Sequence, residues 1–460
     1  MKIFILNPLL FTGKLSKIAR KRQPLELAYI ASLLRHDHKV CLLDANALNL
    51  DLEDTITEIK NFNPEILILT STPVDRWEVP SHEHIKLLIK NIIQTINSVE
   101  IPYIILTGAH GTVMPEYILQ KTKVNFVVRG EPEIIVKNLV NEIAGHKNYK
   151  NILGISYLEN NQVINNPNAE RIKNLDELPL PAYDLLPMEK YSYTFSDIPK
   201  PFSIMLTSRG CPFNCTYCLK VMMPEFYTTR SPENVVNEIK YLMNKFSVQG
   251  IYFQDWEFLI NKDRINKICD LILAEPILKN LKWGCNARAA DIDENITVKM
   301  KSAGCVRINI GFESGSQKIL DLADKKIKIE EIKNAIEICK KHNINIGIYS
   351  ILNLPGETKE TISETEKFLV DNNIKTMCAP NLPIPYPGTK LYEMLKKQKN
   401  REVAWEDLEK YTGRINVAQA PFIAKIYRWH YKYKYTLGNY YFLNPKFYQN
   451  IFKRLSSRAK

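Results

Sequence analysis

Short apolar runs alternate with helical patterns along this chain, and that alternation limits the folds that the sequence can adopt. Within the first 130 residues, segments 24–34 and 83–96 have helical spacing and separate runs with strand character. The predicted strands are residues 2–6, 39–43, 66–70, 103–107 and 126–128. Because strands that alternate with helices are joined by right-handed crossovers, the pattern predicts an α/β domain with a doubly wound, Rossmann-like parallel sheet.

A second strand series follows a proline-rich stretch, Leu178-Pro-Leu-Pro-Ala-Tyr183, which is typical of an extended linker. Its predicted strands are residues 203–207, 250–253, 282–285, 306–310, 344–352 and 377–382. Six β/α units predict a partial (β/α)6 barrel of the TIM type, whose functional loops follow the carboxyl ends of the strands.

These patterns divide the chain into four predicted regions. They are a first domain at 1–148, a linker at 149–200, a barrel core at 201–390 and a helical C-terminal region at 391–460. The longest apolar runs are too short to cross a bilayer, and the first ten residues lack the features of a secretory signal. We therefore expect a cytoplasmic protein.

The net charge of +12 is concentrated near the C-terminus, where residues 421–460 contain nine Lys or Arg residues and no Asp or Glu. Twelve aromatic residues between positions 422 and 452 interleave with these bases. The favoured interpretation is a helical aromatic stripe packed on the barrel. Peripheral contact with an anionic lipid surface is a second hypothesis, and stacking on single-stranded nucleic acid is a third that nothing else supports.

Three of the nine cysteines lie within eight residues, in Arg209-Gly-Cys211-Pro-Phe-Asn-Cys215-Thr-Tyr-Cys218. Zinc is the structural alternative, but a structural zinc site requires four ligands and no His lies nearby. A 4Fe–4S cluster held by only three cysteines leaves one iron open for another ligand. The spacing therefore favours a cluster.

This segment resembles the cluster loop of radical S-adenosylmethionine (SAM) enzymes, and the resemblance extends over nearly the whole chain. It implies that Cys211, Cys215 and Cys218 are the catalytic metal ligands and that Tyr217 lies beside the cofactor. In that family, the open iron takes the amino and carboxylate groups of SAM. An electron from the cluster then cleaves SAM to methionine and a 5′-deoxyadenosyl radical.

Two strand-end segments are similar to motifs of this family that hold the methionine part of SAM. In Phe253-Gln-Asp-Trp-Glu-Phe258, Asp255 is the candidate acceptor for the SAM ammonium, with Glu257 as a substitute because Trp256 replaces the usual second acid. In Trp283-Gly-Cys-Asn-Ala-Arg288, Arg288 is expected to pair with the SAM carboxylate.

Other strand-end segments are similar to motifs that hold the nucleoside part. Glu313 and Ser314, in Gly311-Phe-Glu-Ser-Gly315, are expected at the ribose hydroxyls. Gly356 and the turn 385–389 are expected to line the adenine side.

The first domain resembles the cobalamin-binding domain that precedes many radical SAM cores. Matching stretches are Pro24-Leu-Glu-Leu-Ala-Tyr-Ile30, Thr107-Gly-Ala-His-Gly111 and Val128-Arg-Gly-Glu-Pro-Glu133. The resemblance implies a bound cobalamin contacted by Gly108, His110, Gly111 and Glu131, although His110 also fits the cap of a turn.

The motif Asp-x-His-x-x-Gly, which supplies a lower-face histidine in many cobalamin enzymes, is absent from this sequence. The resemblance therefore implies a cobalamin without that imidazole ligand. Trp77 is the first candidate to cover the lower face and Arg76 the second. Trp77 fits interdomain packing equally well, because tryptophan often serves packing.

The resemblance predicts a class B-like, cobalamin-dependent radical SAM methyltransferase. It would methylate an unactivated carbon of a small-molecule or lipid-like substrate, with a reductase, flavodoxin or ferredoxin as electron donor and no specific nucleic acid. Cyclisation or rearrangement with the same cofactors is the alternative, and a non-catalytic regulator that holds cluster or cobalamin is a remote one. Methylthiotransfer is disfavoured because the first domain holds only Cys41 and cannot ligate a second cluster.

Overall fold

The computed structural model of the chain describes residues 1–9, 21–71, 82–145, 148–192, 197–223, 226–374, 381–403, 407–408 and 411, with the backbone alone at 82–89. In these ranges, no helix combines the length and apolar character required to span a membrane. The interpretations of the basic, aromatic tail concern residues that lie outside the described ranges.

The first sheet confirms the predicted doubly wound arrangement. Its strands are β1 (Lys2–Asn7), β2 (Lys39–Asp44), β3 (Ile66–Thr70), β4 (Tyr103–Thr107), β5 (Phe126–Val128), β6 (Ile155–Glu159) and β7 (Gln162–Asn165). They lie in the order β2-β1-β3-β4-β5-β6-β7, and the pairs from β2 to β5 are parallel. The order reverses between β1 and β3, and sheets of this kind bind ligands beyond the strand ends at that point.

Helices between these strands bury apolar faces against the sheet. They are α1 (Leu25–Leu34), α2 (Ala45–Leu48), α3 (Leu52–Phe62), α4 (His82–Asn97), α5 (Ala109–Val113), α6 (Pro115–Lys121) and α7 (Pro132–Ala144). Asp51 caps α3 by accepting from the Asp54 amide at 2.9 Å, and Ile59 of that helix packs into the core around Leu67. A prolyl residue begins α7, where a missing N–H costs nothing.

Part of the predicted linker belongs to the first sheet. Strands β6 and β7 form an antiparallel hairpin, and β6 pairs antiparallel with β5. Asn160 and Asn161 between them have φ values of 51° and 62°, the left-handed conformation that a tight hairpin turn requires and that asparagine tolerates. Farther along, Tyr191 is buried and donates to Asp44 at 2.8 Å, so this stretch also packs rather than extending freely.

The strands of the second series are β8 (Phe202–Met205), β9 (Ser208–Arg209), β10 (Thr228–Thr229), β11 (Gly250–Phe253), β12 (Lys282–Ala287), β13 (Cys305–Glu313) and β14 (Asn345–Ser350). Five of them form a sheet in the order β14-β13-β12-β11-β8, and β9 and β10 form a separate antiparallel ribbon. The sixth predicted strand, 377–382, lies mostly outside the described residues, but Asn381 forms an isolated parallel bridge with Ile351.

The helices of this series are α8 (Pro232–Phe246), α9 (Lys262–Ala274), α10 (Glu294–Ser302), α11 (Gln317–Leu322), α12 (Ile329–Lys341), α13 (Lys359–Asp371) and α14 (Lys390–Lys399). Side-chain caps begin several of them. Ser231 accepts from the Asn234 amide at 3.2 Å at the start of α8, and Thr389 accepts from the Tyr392 amide at 3.1 Å at the start of α14. Each cap satisfies a helix N–H group that has no partner within the helix.

The chain divides into two compact units, each made of separate stretches of the sequence. The first comprises residues 1–212, 219–286 and 299–306, and the second comprises 213–218, 287–298 and 307 onward. Within the first unit, Gln23 donates to the Phe202 carbonyl at 2.9 Å and accepts from the Ile204 amide at 3.1 Å. A side-chain amide therefore satisfies the backbone of β8 as a neighbouring strand would.

Replacing Gly304 with alanine is expected to destabilise the first unit by about 2–4 kcal/mol. Gly304 has a φ of 95°, and an added Cβ would lie 2.3 Å from the Leu281 carbonyl oxygen, so the backbone would have to move. The free energy of unfolding, measured by denaturant titration, tests this. Gly145→Ala is the control, because its Cβ would come no closer than 3.3 Å to the Asn141 carbonyl oxygen. Equal losses in both variants would contradict the prediction.

Glu357 is expected to make stability depend on pH. Burial raises the pKa of its carboxyl to about 7, although a hydrogen bond from the Asn353 amide opposes the shift. The folded state then binds the proton more tightly than the unfolded state does, so stability falls as pH rises from about 4.5 to 7, by about 3 kcal/mol.

Glu357→Gln should flatten this dependence, measured as the thermal midpoint between pH 5.5 and 7.5. The exposed neighbour Glu360 provides the control, since Glu360→Gln should keep the wild-type slope. A wild-type slope in Glu357→Gln would refute the assignment.

Candidate functional site

The cysteine motif lies on a loop, residues 210–227, that we call the cluster loop. It connects the ribbon strands β9 and β10. Gly210 begins it with a φ of 84°, and a Cβ there would lie 1.8 Å from the Phe226 carbonyl oxygen, so only glycine fits where the two ends of the loop meet. The Lys220 ammonium donates to the Cys211 carbonyl at 3.2 Å.

The middle of the cluster loop is held by backbone hydrogen bonds in the second unit. The Thr216 amide donates to the Ala323 carbonyl at 3.0 Å, and the Thr216 carbonyl accepts from the Leu391 amide at 3.0 Å. The Cys218 amide donates to the Cys215 carbonyl at 3.1 Å. These bonds fix the backbone that carries the last two cysteines.

The donor set of the loop suits an iron–sulfur cluster. Cys211, Cys215 and Cys218 are partly exposed and are not in disulfides. Within the described ranges, no group of three or more His, Cys, Asp or Glu side chains is arranged to hold a metal ion. Three cysteines on one loop are the ligands that a 4Fe–4S cluster with one open iron takes.

Asp255, the predicted acceptor for the SAM ammonium, is fully buried just after β11 in the first unit. Its carboxylate accepts from the Thr207 amide at 3.2 Å, from the Thr207 hydroxyl at 2.9 Å and from the Ser208 hydroxyl. Burial raises the pKa of Asp255, and the hydrogen bond from Ser208 opposes that shift. The side chain therefore organises the segment that leads into the cluster loop.

Glu257 and Trp256 follow Asp255 and differ in surroundings. Glu257 is 2% exposed and accepts from the Leu259 amide at 3.3 Å. Trp256 is partly buried against an apolar cluster built on Met222, Met223 and Ala109. The residue that replaces the expected second acid thus contributes apolar surface beside the segment that follows Cys218.

Arg288 is buried in the second unit and lies over the cluster loop. Its guanidinium carbon is 3.5 Å from the centroid of the Phe213 ring. One terminal nitrogen donates to the carbonyls of Lys325 and Lys326 at 2.8 and 2.6 Å. Its Nε is buried and has no hydrogen-bond partner among the described residues. The side chain is therefore held in place with one donor still available.

Lys325, which no sequence motif indicated, joins two of the predicted cofactor residues. Its ammonium lies 2.9 Å from a Glu313 carboxylate oxygen and 3.4 Å from the Tyr217 hydroxyl. Burial lowers the pKa of Lys325, but the charges of Glu313 and Cys215 raise it by more. A lysine between Asp324 and Lys326 has the pattern of an exposed turn, so only its fold position reveals the pairing.

Tyr217, which lies between Cys215 and Cys218 in the sequence, links Lys325 and Glu313 to the cluster loop. Burial raises the pKa of its hydroxyl well above the usual value, and the charges of Glu313, Cys215 and Cys218 raise it further. Glu313 itself has a φ of 59°, which is uncommon for a residue with a Cβ, at the irregular end of β13. The structure therefore brings Tyr217, Arg288 and Glu313 together around Lys325.

Ser314 and Gly356 have structural contacts of their own. Ser314 is fully buried, its hydroxyl lies 3.1 Å from that of Thr365, and it accepts from the Ser316 amide at 3.2 Å. Gly356 has a φ of 84°, and a Cβ there would lie 2.3 Å from a Leu322 methyl. Both residues therefore tie the ends of β13 and β14 to neighbouring helices.

Two left-handed glycines follow adjacent strands of the first sheet, where the cobalamin resemblance predicted contacts. Gly108 after β4 has a φ of 103° and precedes α5, in which His110 is buried. Gly130 after β5 has a φ of 82°, and its amide donates to the Thr112 hydroxyl at 3.1 Å. Glycine at both strand ends lets a bulky ligand approach the backbone, which suits cobalamin.

Gly111 and Glu131 both have close neighbours within the first unit. A Cβ on Gly111 would lie 2.9 Å from a Val127 methyl. Glu131 is 6% exposed and pairs with Arg209 at 3.0 Å. Trp77 and Arg76, the candidates for the lower face, lie outside the described residues.

Glu26, in one of the stretches that resemble the cobalamin domain, organises the same edge of the sheet. It is buried on α1 and accepts from the Thr107 hydroxyl at 2.6 Å and from that of Thr70 at 3.5 Å. These threonines end β4 and β3. A carboxylate in an apolar helix is the sequence signal that could have identified this role.

Two protein families match separate parts of this chain. Residues 205–369 match the radical SAM superfamily, and residues 15–140 match the B12 binding domain. The chain is 32% identical over 395 residues to an uncharacterized methyltransferase of Pyrococcus horikoshii, covering 85% of this chain and 83% of that protein. It is 29% identical over 423 residues to the anaerobic magnesium-protoporphyrin IX monomethyl ester cyclase of Rubrivivax gelatinosus, covering 89% of this chain and 72% of the cyclase.

Solved structures share the fold at lower identity. The radical SAM methyltransferase TsrM from Kitasatospora setae, with tryptophan and a SAM analogue bound, aligns with a TM-score of 0.68 and 16% identity over 87% of this chain and 77% of TsrM. The cobalamin-dependent radical SAM enzyme OxsB aligns with a TM-score of 0.65 and 20% identity over 90% of this chain and 57% of OxsB.

The two family matches also decide the cofactors. A radical SAM domain takes a 4Fe–4S cluster and SAM, and a B12 binding domain takes cobalamin. Together with the similarity to the Pyrococcus protein along most of both chains, the matches show that this chain belongs to the cobalamin-dependent radical SAM methyltransferase family.

Proposed function

We propose that this enzyme transfers a methyl group to an unactivated carbon of a small-molecule or lipid-like substrate. The observation that carries the proposal is a group of side chains that adjoins the last two cysteines of the cluster loop. Arg288, Lys325 and Glu313 of this group are buried, and Tyr217 is partly buried. An enzyme that cleaves SAM needs fixed charges beside its cluster. The similarity to a methyltransferase over 83% of that protein supports methyl transfer as the reaction.

In this proposal, Cys211, Cys215 and Cys218 hold the cluster, which when bound to SAM supplies an electron for cleavage of a carbon–sulfur bond. The chain's own residues orient SAM and exclude water. Arg288 has a buried Nε that remains available to donate, so it is our candidate for the SAM carboxylate.

Asp255 and Glu257 remain our candidates for the SAM ammonium. Asp255 already accepts from Thr207 and Ser208, so it would serve mainly by shaping the entry to the cluster loop. Glu257, which is buried two residues farther along the chain, is the alternative acceptor.

Glu313 and Ser314 are our candidates for the ribose side and Gly356 for the adenine side. Because Ser314 already bonds to Thr365, we assign the hydroxyl contacts chiefly to Glu313. Lys325 would hold the Glu313 carboxylate in place.

Gly108, His110 and Gly111 are proposed to line the cobalamin, with Trp77 over its lower face. Two left-handed glycines at neighbouring strand ends support this placement. A reductase, flavodoxin or ferredoxin as electron donor and a cytoplasmic location are also part of the proposal. So are the sequence-based boundaries of the cobalamin domain, the linker, the barrel core and the C-terminal region.

Cyclisation without methyl transfer is the second candidate. It is favoured by the 29% identity with a cyclase over 89% of this chain. The two reactions share cofactors and differ in the fate of the SAM methyl group. SAM carrying a labelled methyl group separates them in the reconstituted enzyme with candidate substrates: label in the product supports methyl transfer, and product formed without label supports cyclisation.

Cys218→Ala is expected to abolish SAM cleavage, because the loss of one of three ligands leaves the cluster without its support. The measurement is release of 5′-deoxyadenosine after anaerobic reconstitution and reduction, with at least a hundredfold loss expected. Cys41→Ala is the matched control, since Cys41 lies half-buried on β2, and it should retain wild-type release. Undiminished release by Cys218→Ala would overturn the assignment of the cluster.

Lys325→Met is expected to raise the KM for SAM by about tenfold or more, because methionine keeps the length but leaves the buried Glu313 carboxylate without its cation. Lys326→Met is the control, since Lys326 lies in the same turn with an exposed side chain. Initial rates of 5′-deoxyadenosine formation against SAM concentration give both values. The same KM in the two variants would exclude a role for Lys325 at the SAM site.

A further inference from the structure

Four charged residues, three of them buried and one partly buried, lie at the base of the cluster loop in the first unit, and none of them is assigned a role in SAM chemistry. We call Glu131, Glu133, Arg171 and Arg209 the clasp. Glu131 and Glu133 begin α7 after β5 of the first sheet, Arg171 lies after the β6–β7 hairpin, and Arg209 ends β9. Arg209 stands two residues before Cys211.

Arg209 forks between the two carboxylates. One terminal nitrogen lies 3.0 Å from Glu131 and the other 2.6 Å from Glu133, and the three side chains are at most 3% exposed. The guanidinium also lies 5.6 Å from the centroid of the Tyr29 ring. Burial lowers the pKa of Arg209, but the two carboxylates raise it by more, so the guanidinium stays charged.

Both carboxylate oxygens of Glu131 accept hydrogen bonds from groups of the protein. One accepts from Arg209, and the other accepts from the Arg171 Nε at 3.3 Å and from the Ile172 amide at 3.0 Å. A carboxylate with three internal donors has little remaining capacity for a ligand. This argues against the direct cobalamin contact that the sequence resemblance implied for Glu131.

Arg171 extends the clasp to the far end of the cluster loop. Its guanidinium donates to the Phe226 carbonyl and to the Thr228 hydroxyl, the latter at 3.4 Å. Gly210, at the near end, leaves space for the Phe226 carbonyl. One connected set of charges therefore contacts both ends of the loop and the strand end that carries Gly130.

We propose that the clasp positions the cluster loop from the first sheet, with Glu131 as a positioning residue for the loop and not a cobalamin ligand. This inference rests on the proposed function for its consequence in catalysis. Buried charges are costly unless each keeps its partner, so the clasp has a single favourable arrangement. It thereby sets where the backbone of Gly210 and Cys211 lies relative to β5, whose end is a predicted cobalamin contact.

The test uses the full chain with Glu131→Gln, which keeps the shape and removes the charge, and Arg209→Lys, which keeps the charge but cannot fork between two carboxylates. Asp44→Asn is the control, because Asp44 is an equally buried carboxylate that accepts from Asn7 and Tyr191 away from the cluster loop. The readouts are aquocobalamin affinity, the paramagnetic-resonance spectrum of the reduced cluster with and without SAM, and the thermal midpoint.

We expect both clasp variants to bind aquocobalamin within twofold of wild type. They should also alter the spectral change caused by SAM and slow 5′-deoxyadenosine release by at least tenfold. Asp44→Asn should lower the thermal midpoint without changing the spectrum. A tenfold weaker aquocobalamin affinity with an unchanged spectrum would overturn the proposal and restore Glu131 as a cofactor contact. Identical behaviour of Glu131→Gln and Asp44→Asn would reduce the clasp to an ordinary buried ion pair.

A measurement without cofactors separates this proposal from the proposed function. Amide hydrogen exchange of residues 210–223 in the cofactor-free chain should be at least tenfold faster in Glu131→Gln than in wild type, and unchanged in Asp44→Asn. If wild type never releases 5′-deoxyadenosine, the proposed function fails while this readout still tests the clasp. Unchanged exchange in Glu131→Gln would refute the clasp even in an active enzyme.

Discussion

Parallel strands bring their carboxyl ends to one edge of a sheet, and the polar groups that follow those ends must find partners there. In the first sheet, Glu26 accepts from the threonines that end β3 and β4. After β11, Asp255 accepts from Thr207 and Ser208, which follow β8. Hydrogen bonds to buried carboxylates thus fix the loops at these strand ends, and the candidate site is built on these loops.

Other carboxylates near the cluster loop are buried together with a cationic partner. Glu313 is paired with Lys325, and Glu131 is paired with both Arg171 and Arg209. Burial by itself favours the protonated form of a carboxylate, as the raised pKa of Glu357 illustrates. The pairs therefore keep charged groups fixed beside the cluster loop, where preorganised charge is most effective in catalysis.

Sequence patterns predicted the sheets and the family because these depend on local periodicity and on contiguous motifs. Five strands of the first sheet and the cysteine loop follow from such signals. The β6–β7 hairpin lies within the predicted linker, because no sequence motif marks its two left-handed asparagines as a tight turn. The inward bond of Ser314 to Thr365 joins positions 51 residues apart, and no local pattern reports a contact of that kind.

By itself, the sequence determined the two β/α series, the motif of three cysteines, which leaves one iron of a 4Fe–4S cluster without a protein ligand, and the absence of a lower-face histidine motif. All three are properties of neighbouring residues. Only the tertiary structure decided that Lys325 pairs with Glu313 and that Glu131 pairs with Arg209, which lies 78 positions away in the sequence. The energy of a buried charge depends on which distant partner the fold brings to it, and residue spacing along the chain carries no information about that partner.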